Sequence, residues 1–223
     1  MQSGFQLFGA VHLAVIAATA AAPFLLVRLG RTERVRRALA VAVAANELIW
    51  YGYRYSTEGF RFPEGLPLGL CDVVVWLTVA AAWTGRGTLF ELCWFWGVAG
   101  AAMAILTPDL WAPCWSYPTI YFFLAHGLVV TVPVFLWLAG VARAGAGAVW
   151  RALLWVNVYA GAVGLFNAVF GTNYMYLCRK PEGASPLDWF GPWPWYLLGG
   201  EAMAVALFGL LCLPLRLRSG RGG

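Results

Sequence analysis

The sequence predicts an all-α polytopic membrane protein, a single seven-transmembrane-helix bundle with its N-terminus outside and its C-terminus cytoplasmic. Three observations carry that expectation. Of 223 residues, 61% are hydrophobic and only 11% charged, with a mean hydropathy of +0.71, against roughly 25% charged residues in soluble domains. Apolar runs of helical length recur seven times along the chain. Arginine collects in alternate connections. Such a chain cannot cover a water-facing surface, which excludes a cytosolic globular enzyme, a nucleic-acid-binding module and a disordered protein. The formal charge of +5 is therefore not a nucleic-acid footprint.

A hydrocarbon core of ~30 Å takes about 20 apolar residues in helix. The runs that satisfy this are Phe5–Val27, Ala38–Tyr55, Leu66–Trp83, Leu89–Leu106, Thr119–Val141, Trp150–Phe170 and Trp193–Leu215. Proline, glycine and charge punctuate the connections between them. The first run contains Ala18-Thr19-Ala20, a small-residue triplet of the kind found at cleavage sites. No basic side chain precedes it among Met1–Leu7, whereas a signal peptide has positive charge ahead of its apolar run, so the expectation is a retained helix. On alternating sides the basic residues divide eleven to four. Arg28, Arg31, Arg34, Arg36, Arg37, Arg86, Arg143, Arg151, Arg216, Arg218 and Arg221 face Arg54, Arg61, Arg179 and Lys180. The positive-inside rule places the richer side in the cytoplasm. Thirteen Trp and nine Tyr fit interfacial belts. Arginine over lysine and abundant alanine suggest a high-GC bacterial genome, hence a multi-pass protein of the bacterial cytoplasmic membrane.

Ionisable groups within spans cost ~2.5–3.5 kcal/mol each on insertion scales, which makes each a functional candidate. They are His12, Glu47, Asp72, Glu91, His126 and Glu201, with Asn46, Asn157 and Asn167 beside them. At ~1.5 Å rise per residue, Cys71, Asp72, His12, His126, Glu47, Glu201 and Asn167 fall in one slab of the outer half, within about 5–12 Å of the outer ends. Glu91 alone lies in the inner half. A thiol becomes a nucleophile when a base or positive field favours its thiolate, and Cys–His pairing is the usual route; Cys71 with His126 is one candidate, an inert packed cysteine the other. Glu201 and Glu47 either support such a pair or make helix–helix hydrogen bonds. His12 reads as a partnered core histidine, and Asp72 points about 100° away from Cys71 on a helix. Outside the spans, Asn173 and Tyr174 are candidate donors to an ester carbonyl or lipid phosphate, with Arg179 and Lys180 drawing the head group. Cys114 and Cys178 fall in connections where a disulfide is permitted.

Other chemistries lack their residues. There is no Walker loop, His-Glu-x-x-His or Cys-x-x-Cys, the one lysine lies outside the spans, and nothing calls for a cofactor or a metal.

Four segments then carry a resemblance: Leu66-Pro67-Leu68-x-Leu70-Cys71, Phe122-Phe123-Leu124-x-His126-Gly127, Asn173-Tyr174-Met175 with Lys180-Pro181, and Leu187-Asp188-x-x-Gly191-Pro192-Trp193-Pro194-Trp195-Tyr196. Their order and spacing resemble the YwaF-like bacterial membrane proteins related to eukaryotic transmembrane protein 164, from the second span onward. The resemblance implies cysteine-dependent acyl chemistry on phospholipid and lysophospholipid esters, as acyltransferase or acyl hydrolase. A more distant likeness is to the androgen-induced hydrolases, which use threonine and histidine. Cys71 matches the family's cysteine and His126 its histidine, while Asn173, Tyr174 and Asn167 stand as oxyanion or substrate-binding candidates. Gly69 departs from the expected pattern, which has a larger polar side chain there. Membrane lipids are the implied partners and no protein partner is implied. The competing readings are a proton- or ion-coupled transporter, in which Glu47 and Glu201 dominate, and a non-catalytic lipid-binding protein.

Overall fold

A computed structural model describes residues 5–181 and 185–219. Arg221, counted above toward the cytoplasmic side, and the first four residues lie outside the described residues, as does the middle of the 171–192 connection. Among the described residues there is helix and no strand. Seven rods follow in order: α1 (Ala10–Leu29), α2 (Glu33–Glu58), α3 (Leu70–Thr84), α4 (Gly87–Leu106), α5 (Tyr117–Leu138), α6 (Ala148–Phe170) and α7 (Trp195–Ser219). Two 3-10 turns, Tyr174–Tyr176 and Pro186–Phe190, lie between α6 and α7.

Five of these rods, α1, α4, α5, α6 and α7, are long and apolar enough to cross a membrane. The other two rods, at the expected second and third spans, do not meet that length and composition. The α3 helix has 15 residues, about 22 Å at 1.5 Å per residue, short of a ~30 Å core. The α2 helix runs 26 residues, past both ends of the expected span, because its charged ends are helical too. Thr32 caps its start by accepting the Val35 N–H, Glu33 pairs with Arg37 in the first turns, and Arg54 pairs with Glu58 at 3.2 Å in the last. At Leu66 the expected span is displaced the other way. Pro67 disfavours helix before it, Leu68 N–H closes a tight turn on Leu66 O at 2.9 Å, and Gly69 caps α3.

The α5 rod is central, packing against α1, α2, α3 and α4, with α3 against α2 and α4. The α6 and α7 rods pack on each other and on α4. The core lies where α3, α4 and α5 meet: Ala82, Phe90, Cys93, Phe95, Val132, Phe135 and Leu136 are fully buried. Large apolar side chains such as Phe24, Leu25, Leu154, Leu165, Val169, Leu198 and Leu210 face outward, as expected where lipid is the solvent.

Mid-way along α4 the winding loosens into a π-helical stretch, Cys93–Val98. It presents two buried tryptophans to different neighbours. Trp94 Nε1–H donates to Leu211 O of α7 at 2.9 Å and Trp96 Nε1–H to Ala152 O of α6 at 3.0 Å. A buried indole N–H needs such a partner, and here each joins α4 to a different rod. Just ahead of this stretch, Glu91 is buried and accepts from Gly145 N–H (2.8 Å), Arg151 Nε–H (2.9 Å) and Arg151 Nη2–H (2.7 Å). Glu91 is thus a structural clamp between α4 and α6.

Candidate active site between α3, α4 and α5

Because α3 begins at Leu70, Cys71 stands in its first turn rather than a full turn or more inside a helix. The first α3 backbone bond runs from Val73 N–H to Gly69 O at 3.3 Å, so the N–H groups of Leu70, Cys71 and Asp72 have no partner within the helix. The positive end of the helix dipole favours negative charge there. Asp72 turns back and accepts the Gly69 N–H at 2.9 Å. A Cβ on Gly69 would lie 2.7 Å from Asp72 Oδ2, so the glycine departure and the Asp72 cap occupy the same space. Cys71 is exposed and Leu68 O, three residues earlier, accepts the Tyr159 hydroxyl at 2.9 Å.

Cys71 and His126 line one cavity of about 50 Å³, with Asp72, Tyr121 and Ala125 beside them and Gly97 below. His126 Nδ1 lies 2.7 Å from Phe122 O. A carbonyl only accepts, so Nδ1 carries the hydrogen and Nε2 keeps its lone pair. That is the tautomer a general base requires. Among the described residues no hydrogen bond joins the thiol to the imidazole, and resting sites often hold such pairs loosely until substrate arrives.

Tyr121 is a cavity residue that the sequence reading missed. Its hydroxyl donates to Glu47 Oε2 at 2.7 Å, and Trp50 stacks on its ring with centroids 4.2 Å apart. Glu47 is fully buried and its other oxygen has no hydrogen-bond partner among the described residues. The available signal was the pairing of an intramembrane glutamate with an aromatic run, Tyr117-x-x-x-Tyr121, one turn ahead of Ala125.

The structure does not bring the remaining candidates to this cavity. His12 accepts the Phe8 N–H on Nδ1 at 2.9 Å and donates from Nε2 to Ile105 O at 2.7 Å, which ties α1 to the end of α4. Asn167 Oδ1 accepts from the Thr172 hydroxyl and Tyr174 N–H, and its Nδ2 donates to Tyr174 O. Asn173 Oδ1 accepts from Cys178 and Arg179 N–H groups, and its Nδ2 donates to Arg179 O. The Tyr174 hydroxyl donates to Pro63 O at 2.8 Å, and burial pushes this phenol above its ordinary pKa, so it stays a donor. These three residues stitch the connection after α6 together. Glu201 accepts from Asn157 at 3.0 Å in a neighbouring apolar cleft of about 450 Å³ between α4, α6 and α7. Cys114 and Cys178 are both free thiols. No group of three or more His, Cys, Asp or Glu converges as a metal site among the described residues.

The profile of the TMEM164 family matches residues 7–212. The chain belongs to this family. No curated protein and no solved structure matches it. The matched stretch of the TMEM164 family contains every residue of the Cys71–His126 cavity, four of the five apolar helices long enough to span a bilayer and most of the fifth, so the chain is a multi-pass membrane protein.

Proposed function

We propose that the chain is a membrane-embedded lipid acyltransferase or acyl hydrolase, acting on phospholipid or lysophospholipid esters through Cys71, His126 and an acyl-thioester. The supporting observation is that a helix-first-turn thiol and an imidazole with an unoccupied Nε2 line the same cavity. The Cys71 S–H proton passes to His126 Nε2 as sulfur bonds to the ester carbonyl carbon. The carbonyl π pair moves to oxygen, where the free N–H groups of the first α3 turn are the candidate oxyanion donors; in soluble enzymes one such donor is worth about 3–4 kcal/mol. Asn173, Tyr174 and Asn167, proposed for this role from sequence, have their polar groups engaged elsewhere. The C–O bond then breaks and the leaving lysolipid oxygen takes the proton from His126. A second lysolipid hydroxyl, or water, loses its proton to His126, attacks the thioester and restores the thiol. In this reading Glu47 positions Tyr121 and Asp72 holds the turn that presents Cys71. In this reading the site opens toward the outer leaflet of a bacterial cytoplasmic membrane, with the N-terminus outside, an orientation that rests on the eleven-to-four division of basic residues.

Intact mass of the purified chain tests this. An acyl-sized increment that hydroxylamine removes, that Cys71→Ala prevents, and that His126→Gln reduces by at least 100-fold in rate is expected. Loss of the increment in Cys93→Ala or Cys212→Ala instead would assign it to ordinary palmitoylation. The second reading, a proton-coupled transporter, is favoured by the orphaned Glu47 oxygen. It requires Glu47→Gln to abolish function while Cys71→Ala spares it. Bound lipid with no covalent adduct in any condition would leave a lipid-binding protein.

A further inference from the structure

We propose that the cleft between α4, α6 and α7 is the seat of one lipid acyl chain, which reaches Cys71 through a throat at Gly100. This rests on the thioester reading above and names where its substrate lies. The Cys71–His126 cavity, at about 50 Å³, offers far less room than the neighbouring cleft of about 450 Å³. The ester carbonyl is therefore assigned to the first and the fatty chain to the second. The cleft of about 450 Å³ shares a wall with it, since Leu70, Trp96 and Gly100 line both.

Length and lining identify the occupant. Along α7 the cleft runs from Tyr196 to Phe208, about 18 Å at 1.5 Å per residue. One leaflet's share of a ~30 Å hydrocarbon core is about 15 Å, so the cleft matches a chain drawn from a single leaflet. Met103, Met175 and Met203, three of the chain's four methionines, line it. Unbranched thioethers conform to occupants of varying shape. Its polar side chains are engaged, Asn157 donating to Glu201, the Thr107 hydroxyl to Met103 O and the Tyr196 hydroxyl to Tyr176 O. A Cβ on Gly100 would meet nothing within 4 Å, so there is open space beside this shared wall residue, where the throat is placed.

The test uses the full chain in vesicles of phosphatidylethanolamine carrying a diazirine midway along one acyl chain, irradiated and mapped by peptide mass. Labelling at Met103 and Met203 is expected in the wild type and in Cys71→Ala alike. Ala204→Trp, or Ala160→Leu as a milder filling, is expected to reduce it at least fivefold while labelling at the outward Leu198 and Leu210 stays constant. Labelling confined to outward faces, or indifferent to both fillings, would overturn the inference. Gly100→Leu is expected to keep cleft labelling, to lose Cys71 loading from long-chain lipid at least tenfold, and to retain loading from a butyryl ester. Unchanged long-chain loading would overturn the throat. Cleft labelling without any hydroxylamine-sensitive Cys71 adduct would sink the chemistry and leave the chain site standing.

Discussion

Gly97 and Gly100, three residues apart on α4, are expected to respond in opposite ways to alanine. An added Cβ at Gly97 would lie 2.9 Å from Val74 Cγ1 of α3 and 3.0 Å from Val129 Cγ1 of α5. Optimal carbon separations are about 3.5–4.0 Å, so the two neighbours must together yield about 0.5–1 Å. Overpacking of this kind costs about 1–3 kcal/mol, and alanine's helical advantage over glycine returns about 0.5–1. Gly97→Ala should therefore lose about 1–2 kcal/mol. Gly100→Ala, with nothing within 4 Å of the new carbon, should be neutral or gain up to about 1 kcal/mol. Denaturant unfolding in mixed micelles reads both. The chemistry should follow the packing, because α3 carries Cys71 and α5 carries His126. Prying them apart by half an ångström should slow thioester formation by about tenfold, given that a 1 Å misplacement can cost about 100-fold. Removing the Val74 methyls in Gly97→Ala/Val74→Ala should recover most of the rate. Equal stability of the two glycine variants, or a double variant no faster than Gly97→Ala, would refute the reasoning.

Three further outcomes are expected. Arg151→Met should lower the midpoint of micellar unfolding, since two charge-assisted bonds to the buried Glu91 are lost; Glu91→Gln/Arg151→Met should lower it by less than the sum of the singles. Asn173→Ala should lower stability by about 1–2 kcal/mol while leaving the loading rate of Cys71 within twofold. Asp188 is held below its ordinary pKa by the Ser185 N–H and by Lys180 at 3.5 Å. Its contribution is therefore full above the ordinary carboxylate value and fades as acid takes the pH down through the lower folded one, so an acid titration of thermal unfolding should fall more steeply in the wild type than in Asp188→Asn.

Helix content, rod order and most rod ends were legible in the apolar runs, because a bilayer imposes one length and one composition on whatever crosses it. Where the reading slipped, local chemistry had competed with hydropathy. Leu66–Gly69 is as apolar as any helix start, yet Pro67 and the Gly69 cap shift the first turn to Leu70. Glu33 and the arginines that follow look like a connection, yet they are helical, and Glu33 pairs with Arg36 and Arg37. Cys71 and His126 were legible as residue types. Their sharing a cavity depended on which rods adjoin, and nothing in two separate apolar runs encodes that. Asn167 and Asn173 illustrate the converse: their polarity marked them for a ligand, while the carbonyls and amides they join came from a connection whose path only the fold discloses. Tyr121 passed as one more interfacial aromatic until Glu47 was found behind it.

The loosened stretch at Cys93–Val98 sets a phase. Each residue of regular helix turns its successors by about 100°, and a π stretch behaves as a residue inserted into that count. Shortening it by one residue would swing Gly100 and Met103 about 100° around the α4 axis, closing the passage and aiming their neighbours at lipid. Substitutions within this stretch are a matter of fit, but its length is a matter of register, and relatives that keep the passage should vary its letters without adding or dropping one.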